Sequence, residues 1–249
     1  MTMEDKVVVV AGGSAGIGKA AAQRFAEEGA HVVILARHQE RLEQAAAEIG
    51  DHAVAVVADV CDPDSVRAAF AQVDTRFGRI DVLLNVAGVA RARRIEDASD
   101  DDIRTVVGTN FLGPIYCTRA AVPLLRKAGG DIVNVSSEVT LDDMPMMTLY
   151  SASKRALNGF TSSMTKELRR DGIRVTLVIM GNVAGTAFGD NFTPEDYGRA
   201  YPVWEADGYL RRVSGTHAMP PSWIADVLLF TVTRPRGMML DVVHARVFD

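Results

Sequence analysis

Short, almost wholly apolar runs alternate along this chain with longer segments whose apolar residues return every three or four positions. Val7 to Ala11 is the first such run, and its continuous apolar character predicts a strand buried on both faces. The same pattern predicts strands at His31 to Ala36, Ala53 to Ala58, Asp81 to Asn85, Ile132 to Ser136, Val175 to Ile179 and Val242 to Val247. A helical stretch follows the first strand and runs to Glu28, stopped by Gly29; a second covers Gln39 to Ile49 and ends at Gly50. Asp62-Pro63-Asp64-Ser65 opens a third, with proline in its first turn. A long helical region starts near Ser99, passes Asn110 and reaches about Arg126, with a kink expected at Gly113-Pro114. The stretch around Tyr150 reads as a further helix. Strands alternating with helices imply right-handed crossovers, hence a parallel sheet covered on both faces. The expected class is a single doubly wound α/β domain over residues 1–249, since no break in composition divides the chain.

One segment departs from the alternation. Residues 184–219 carry Phe188, Phe192, Tyr197, Tyr201, Trp204 and Tyr209 among several glycines, after the carboxyl end of the sixth strand. Long insertions at that position often cover a site, so a substrate lid is expected there.

Composition narrows the chemistry. The formal net charge of −5 gives no support to a nucleic-acid partner. No apolar run approaches the ~20 residues of a membrane span. The N-terminus enters a strand without a leader pattern, so no signal peptide is expected. Cys61 and Cys117 form neither a ligand cluster nor a disulfide framework and read as reduced thiols, which suits a cytoplasmic location. His31, His38, His52, His217 and His244 are scattered without metal-ligand spacing, so no metal is expected.

Candidate chemistry begins at the turn after the first strand. Gly12, Gly16 and Gly18 are spaced G-x-x-x-G-x-G between a strand and a helix. A dinucleotide pyrophosphate needs backbone N–H groups and a helix N-terminus with no side chain in the way. At the end of the second strand an acid would bind ribose hydroxyls and repel a 2′-phosphate; this chain has Ala36-Arg37-His38 instead. Arg37 can pair with a phosphate, so NADP(H) is expected over NAD(H). Asp59 and Val60, after the third strand, are placed to meet the adenine ring. Farther along, Tyr150 and Lys154 stand four residues apart, on one helical face. A cation beside a phenol favours the phenolate and draws its pKa toward the working range. Alone, such a pair is usually an ordinary surface contact; the glycine turn and Ser137 give it meaning.

Together these residues resemble the short-chain dehydrogenase/reductase family, from about Lys6 to at least Thr186. The family's Thr-Gly-x-x-x-Gly-x-Gly appears with Ala11 in place of Thr, its Asn-Asn-Ala-Gly as Asn85-Val-Ala-Gly88, and its helix Asn as Asn110. Its Ser matches Ser137, its Tyr-x-x-x-Lys is intact, and its Pro-Gly appears as Met180-Gly181, with Thr186 displaced by one. The resemblance implies a Rossmann domain with NADP(H) held by Gly12, Ser14, Gly16, Ile17, Gly18, Arg37, Asp59, Val60, Asn85, Ala87, Gly88, Tyr150, Lys154, Gly181, Val183 and Thr186. It implies Tyr150 as general acid and base, Lys154 lowering its pKa and holding the nicotinamide ribose, Ser137 donating to the substrate oxygen, and Asn110 holding a water that links Lys154 to solvent. Of the neighbours Ser136 and Ser137, only one should face the site, because alternate strand residues point to opposite faces.

The implied reaction interconverts a ketone or aldehyde with an alcohol. Leu141, Met144, Met146 and Met147, in the stretch Glu138 to Thr148 that borders the site in the family, suggest a substrate of moderate size and apolar character. Two other readings stand beside the enzyme: a nucleotide-binding redox sensor on the same fold, or a non-redox lyase. The resemblance also implies a homodimer or homotetramer paired through the helices near 100–126 and 150–171.

Overall fold

The computed structural model describes residues 2–186, 192–210 and 218–248. Phe188 and His217 lie outside them. Seven parallel strands form one sheet: β1 (Val7–Ala11), β2 (His31–Ala36), β3 (Ala53–Val57), β4 (Val82–Asn85), β5 (Asp131–Ser137), β6 (Arg174–Met180) and β7 (Val242–Ala245). Their order is β3-β2-β1-β4-β5-β6-β7. The chain builds outward from β1 in one direction, then crosses back to β4 and builds in the other. That reversal opens a crevice at the carboxyl ends of β1 and β4, where doubly wound sheets bind ligands.

The alternation of strand residues divides the core in two. Val8, Val10, Val32, Ile34, Leu84 and Val133 face helices α1 (Gly16–Glu27), α2 (Gln39–Ile49) and α8 (Pro221–Val232). Val9, Val33, Leu35, Leu83, Ile132 and Val175 face α3 (Pro63–Phe77), α5 (Gly113–Leu125) and α6 (Thr148–Leu168). The central strands β1, β2 and β4 are buried on both faces, as their apolar runs predict, whereas the edge strands β3 and β7 are partly exposed. Among the described residues no helix is long and apolar enough to cross a membrane.

Two elements differ from the sequence expectation. The long helix is divided into α4 (Asp100–Val107), a π turn at Gly108–Leu112, and α5. The disturbance therefore starts before Gly113-Pro114. Pro114 has no N–H to give the carbonyl of Asn110 four residues back, and the chain answers upstream, with the Gly113 N–H reaching Gly108 O. The segment that departs from the alternation, for which no helix was predicted, contains one, α7 (Pro194–Ala206). Thr193 caps it by accepting from Asp196 N, while the Asp196 carboxylate accepts from Thr193 N. This is a capping box with proline at the first helical position.

Candidate active site

The turn between β1 and α1 is packed too closely at its glycines for a side chain there. Gly12 has φ +92°, and a Cβ there would sit 2.7 Å from the amide nitrogen of Ala87. A Cβ on Gly18 would lie 2.0 Å from Gly12 O. The two glycines let the turn press against the Ala87–Gly88 loop and let α1 start close beneath it. The α1 N-terminus has no side-chain cap. Its amides border a cavity of about 600 Å³ that runs along the carboxyl edge of the sheet. Exposed helix amides of this kind suit an anion.

The cavity gathers most of the residues singled out in the sequence. Gly12, Ser14, Gly16, Ile17 and Gly18 line it at the turn, Arg37, Asp59 and Val60 at one end, and Ala87 and Gly88 in the middle. Gly181, Val183 and Thr186 line the wall after β6, with Thr186 close against Gly16. The displaced threonine therefore still reaches the cavity. Asn85 does not line it: its side chain is buried under the floor, where Nδ2 donates to Asn134 Oδ1 at 2.8 Å. It ties β4 to β5 instead of offering a contact. Sequence reasoning missed His38 and Arg41, which line the cavity beside Arg37. Arg41 lies in the first turn of α2, just past the Ala36-Arg37-His38 stretch singled out at the end of β2.

The other end is built from β5 and α6. Ser137 lines the cavity, whereas Ser136 turns the opposite way and donates to Asn158 Oδ1 at 2.6 Å. Tyr150 and Lys154 line the same wall, one turn apart on α6. Lys154 Nζ lies 6.0 Å from the centre of the Tyr150 ring and donates to Val135 O at 2.8 Å. Gly88 leaves room for it: a Cβ there would stand 3.5 Å from Nζ. Asn110 is fully buried in the π turn. Its Oδ1 accepts from Val89 N, and its Nδ2 donates to Val89 O and Ser153 Oγ. That side chain is committed to clamping the loop after β4 against α6, and it does not line the cavity.

Burial outweighs the cation at the phenol. Desolvation pushes Tyr150 up to about 12, although a hydrogen bond with Ser137 pulls the other way. Desolvation lowers Lys154 to about 8. The expectation of a phenol drawn down by Lys154 is therefore not met in this geometry; a dry pocket favours the neutral form of both groups. A stability consequence follows. Lys154 binds its proton less well folded than unfolded, so stability falls as pH drops from about 10.5 to about 8 and is level below. The loss is on the order of 3 kcal/mol. Lys154→Met lacks it, so the variant should gain on wild type in melting temperature across that window. Parallel melting curves between pH 7 and 10.5 would contradict this.

Beyond Tyr150 the cavity wall is apolar. Val139, Met144 and Met147 from the β5–α6 connection meet Phe192, Tyr197 and Trp204 from α7 and its approach. Glu138 is the acidic group on this wall, hydrogen-bonded to His244 of β7 at 2.8 Å.

Residues 6–196 match the family described as short chain dehydrogenase. The 11-beta-hydroxysteroid dehydrogenase-like 4A of Arabidopsis thaliana is 38% identical over 181 residues, covering 71% of this chain and 60% of the plant protein. The chain thus matches less than two thirds of that relative's length. An uncharacterized oxidoreductase of Staphylococcus aureus strain USA300 is 29% identical over 98% of both chains. The closed form of a serine dehydrogenase complexed with NADP+ superposes with a TM-score of 0.85 at 27% identity, covering 96% of this chain and 94% of the other. The chain belongs to the short chain dehydrogenase family, a family of oxidoreductases.

Proposed function

We propose that this protein is an NADP(H)-dependent oxidoreductase that interconverts a ketone or aldehyde with an alcohol, with Tyr150 as the general acid and base. The observation that carries the reading is the convergence of Ser137, Tyr150 and Lys154 on the wall of the cavity that begins at the glycine turn. The cofactor fits the residues present. Gly12 and Gly18 allow the close backbone packing that sets the α1 amides at the cavity, and Arg37, His38 and Arg41 make one end basic. An NADP+ complex of the related serine dehydrogenase supports the same choice. The nicotinamide, when bound, supplies the hydride.

The chain's own residues manage the proton and the charge. In reduction Tyr150 gives its proton to the substrate oxygen, and Ser137 donates a hydrogen bond to that oxygen as charge grows on it. Lys154, with its lowered pKa, is poised to exchange a proton near neutral pH. Asn110 can serve a water only through its backbone carbonyl, the one left without an α-helical donor by Pro114, because its side chain is spent on Val89 and Ser153. The apolar wall of methionines and aromatic rings favours a neutral substrate of moderate size. Segment 184–219 is read as the lid of the same single domain. The reading extends to a cytoplasmic homodimer or homotetramer.

The test is loss of NADPH absorbance with acetone, cyclohexanone and acetophenone. Turnover is expected with the larger ketones, and NADPH should be used at least about tenfold better than NADH. Arg37→Glu should raise the KM for NADPH by about tenfold or more and leave that for NADH almost unchanged, since a charge-assisted contact is worth about 1.5–3 kcal/mol. Equal use of both cofactors by wild type would remove the NADP(H) assignment. NADPH binding without turnover on any carbonyl would favour the sensor reading.

A further inference from the structure

Arg93, in the loop after β4, occupies an unusual place. Its Nε lies 3.5 Å from Asp102 Oδ2 and 3.3 Å from Asp196 Oδ1. Those two carboxylates are the capping-box acids of α4 and α7. Both are almost fully buried. Each is already engaged with its own helix: Asp102 accepts from Ser99 N, and Asp196 from Thr193 N. One guanidinium therefore joins the first turns of two helices distant in sequence. The Nε makes a well-aligned hydrogen bond to neither acid and faces both as an ion pair, beside Arg91 Nε, which donates to Asp102 Oδ1 at 3.1 Å.

The same region is tied a second time through the backbone. Arg93 N donates to Met146 O at 2.8 Å, and Trp204 Nε1 of α7 donates to Pro145 O at 2.9 Å. Successive carbonyls of the β5–α6 connection thus hold the Arg93 loop and the far end of α7. Met146 has φ +64°, a left-handed conformation that a side-chain-bearing residue adopts only when its surroundings enforce it. The turn is held in that shape so that both carbonyls point to their donors. The connection on which they sit is the one that supplies Met144 and Met147 to the cavity.

We propose that Arg93 is a positioning residue for the substrate end of the site: by pinning the capped start of α7 to the capped start of α4, it holds Trp204 and Phe192 over the chamber beside Tyr150. The proposal rests on the functional reading above for what the chamber accepts, but not for the contact itself. Arg199 and Asp97 make a further bridge from α7, at 3.7 Å between exposed side chains, where solvent screens it. The buried link is the one through Arg93. Nothing about Arg93 touches the reacting atoms, so its effect is on how the substrate is held.

Trp204 reports on α7 directly. It is 1% exposed, whereas Trp223, the second tryptophan, is 58% exposed. With Trp223→Phe as the parent, fluorescence comes from Trp204 alone. Asp196→Asn is the cleanest variant, because an amide oxygen still caps Thr193 N while the charge facing Arg93 is gone. Arg93→Met removes the other partner, and Arg93→Lys restores a cation. Acrylamide quenching of Trp204 should rise at least about threefold in Asp196→Asn and Arg93→Met, and Arg93→Lys should recover part of the shielding. With acetophenone and NADPH, the KM for the ketone should rise about tenfold while kcat changes less than about threefold and NADPH affinity is unchanged. Quenching equal to the parent in both variants overturns the latch. Increased quenching with an unchanged ketone KM overturns the positioning role. Absence of ketone turnover in the parent would count against the functional reading, and the fluorescence comparison would still decide the latch.

Discussion

Tyr150→Phe should lower the rate of NADPH-dependent ketone reduction by about 10²–10⁴-fold, the usual worth of a positioned general acid, while NADPH affinity changes less than about threefold. The substitution removes one oxygen and keeps the ring. Tyr150 is packed among Val139, Met144, Met147 and Trp204 and is 4% exposed, so a phenyl group fills the same space. Stability should therefore be almost unchanged, which separates loss of chemistry from loss of fold. The pH dependence adds a second test. A phenol pushed up to about 12 keeps its proton throughout the neutral range, the form that reduction requires. Alcohol oxidation requires the ionised form, so its rate should climb with pH from 7 to 10 without levelling off. Reduction should instead weaken as Lys154 loses its proton near about 8. A Phe variant that retains turnover, or an oxidation rate that levels off near pH 7, would remove Tyr150 from the role.

What could be read from the sequence was local and periodic. The glycine turn was legible because three glycines between a strand and a helix state a backbone requirement, and collisions with Ala87 and Gly12 are its physical form. Strand alternation said that only one of Ser136 and Ser137 faces the site, the family resemblance selected Ser137, and the two hydroxyls do point opposite ways. Burial was not legible. Spacing placed Lys154 beside Tyr150, but only the packed pocket decides that desolvation outweighs the cation at the phenol. Asn85 belonged to a recognisable motif, yet its amide is used between strands. The helix α7 was written in Thr193-Pro194-Glu195-Asp196, but its aromatic and glycine content hid the period. Arg93 left no signal, since its partners come from helices about 10 and 100 positions away in a chain whose pairing only the tertiary fold reveals.

Arg174→Met should cost about 3–5 kcal/mol, the penalty of removing one member of a buried ion pair, with Asp131 left to the more exposed Arg236 at 2.9 Å. Arg174 opens β6 and meets Asp131 at the start of β5, with Nε–Oδ1 at 2.6 Å and Nη2–Oδ2 at 3.2 Å. Its remaining donors reach the carbonyls of Val232, Arg234, Pro235 and Met238, the connection that carries the chain from α8 to β7. Both side chains are almost fully buried. Desolvation already raises Asp131 above its ordinary value despite Arg174 and Arg236, so its charged form is held at a cost. Without Arg174 the folded-state pKa should rise further. A raised carboxyl contributes stability below its unfolded value and loses it as pH rises through the folded one. The defect of the variant should therefore be smaller near pH 4 than at neutral pH but still present, because the carbonyls of Val232, Arg234, Pro235 and Met238 lose their donor at every pH; at neutral pH the melting temperature should be lower by about 10 °C, given roughly 2–4 °C per kcal/mol in a chain of this size. Adding Asp131→Asn should recover part of the loss at pH 7 and almost none at pH 4, because the amide mimics the protonated acid. If Arg174→Met melted within about 2 °C of wild type at pH 7, the pair would be dispensable, and the backbone ladders of β5, β6 and β7 with their apolar packing would suffice.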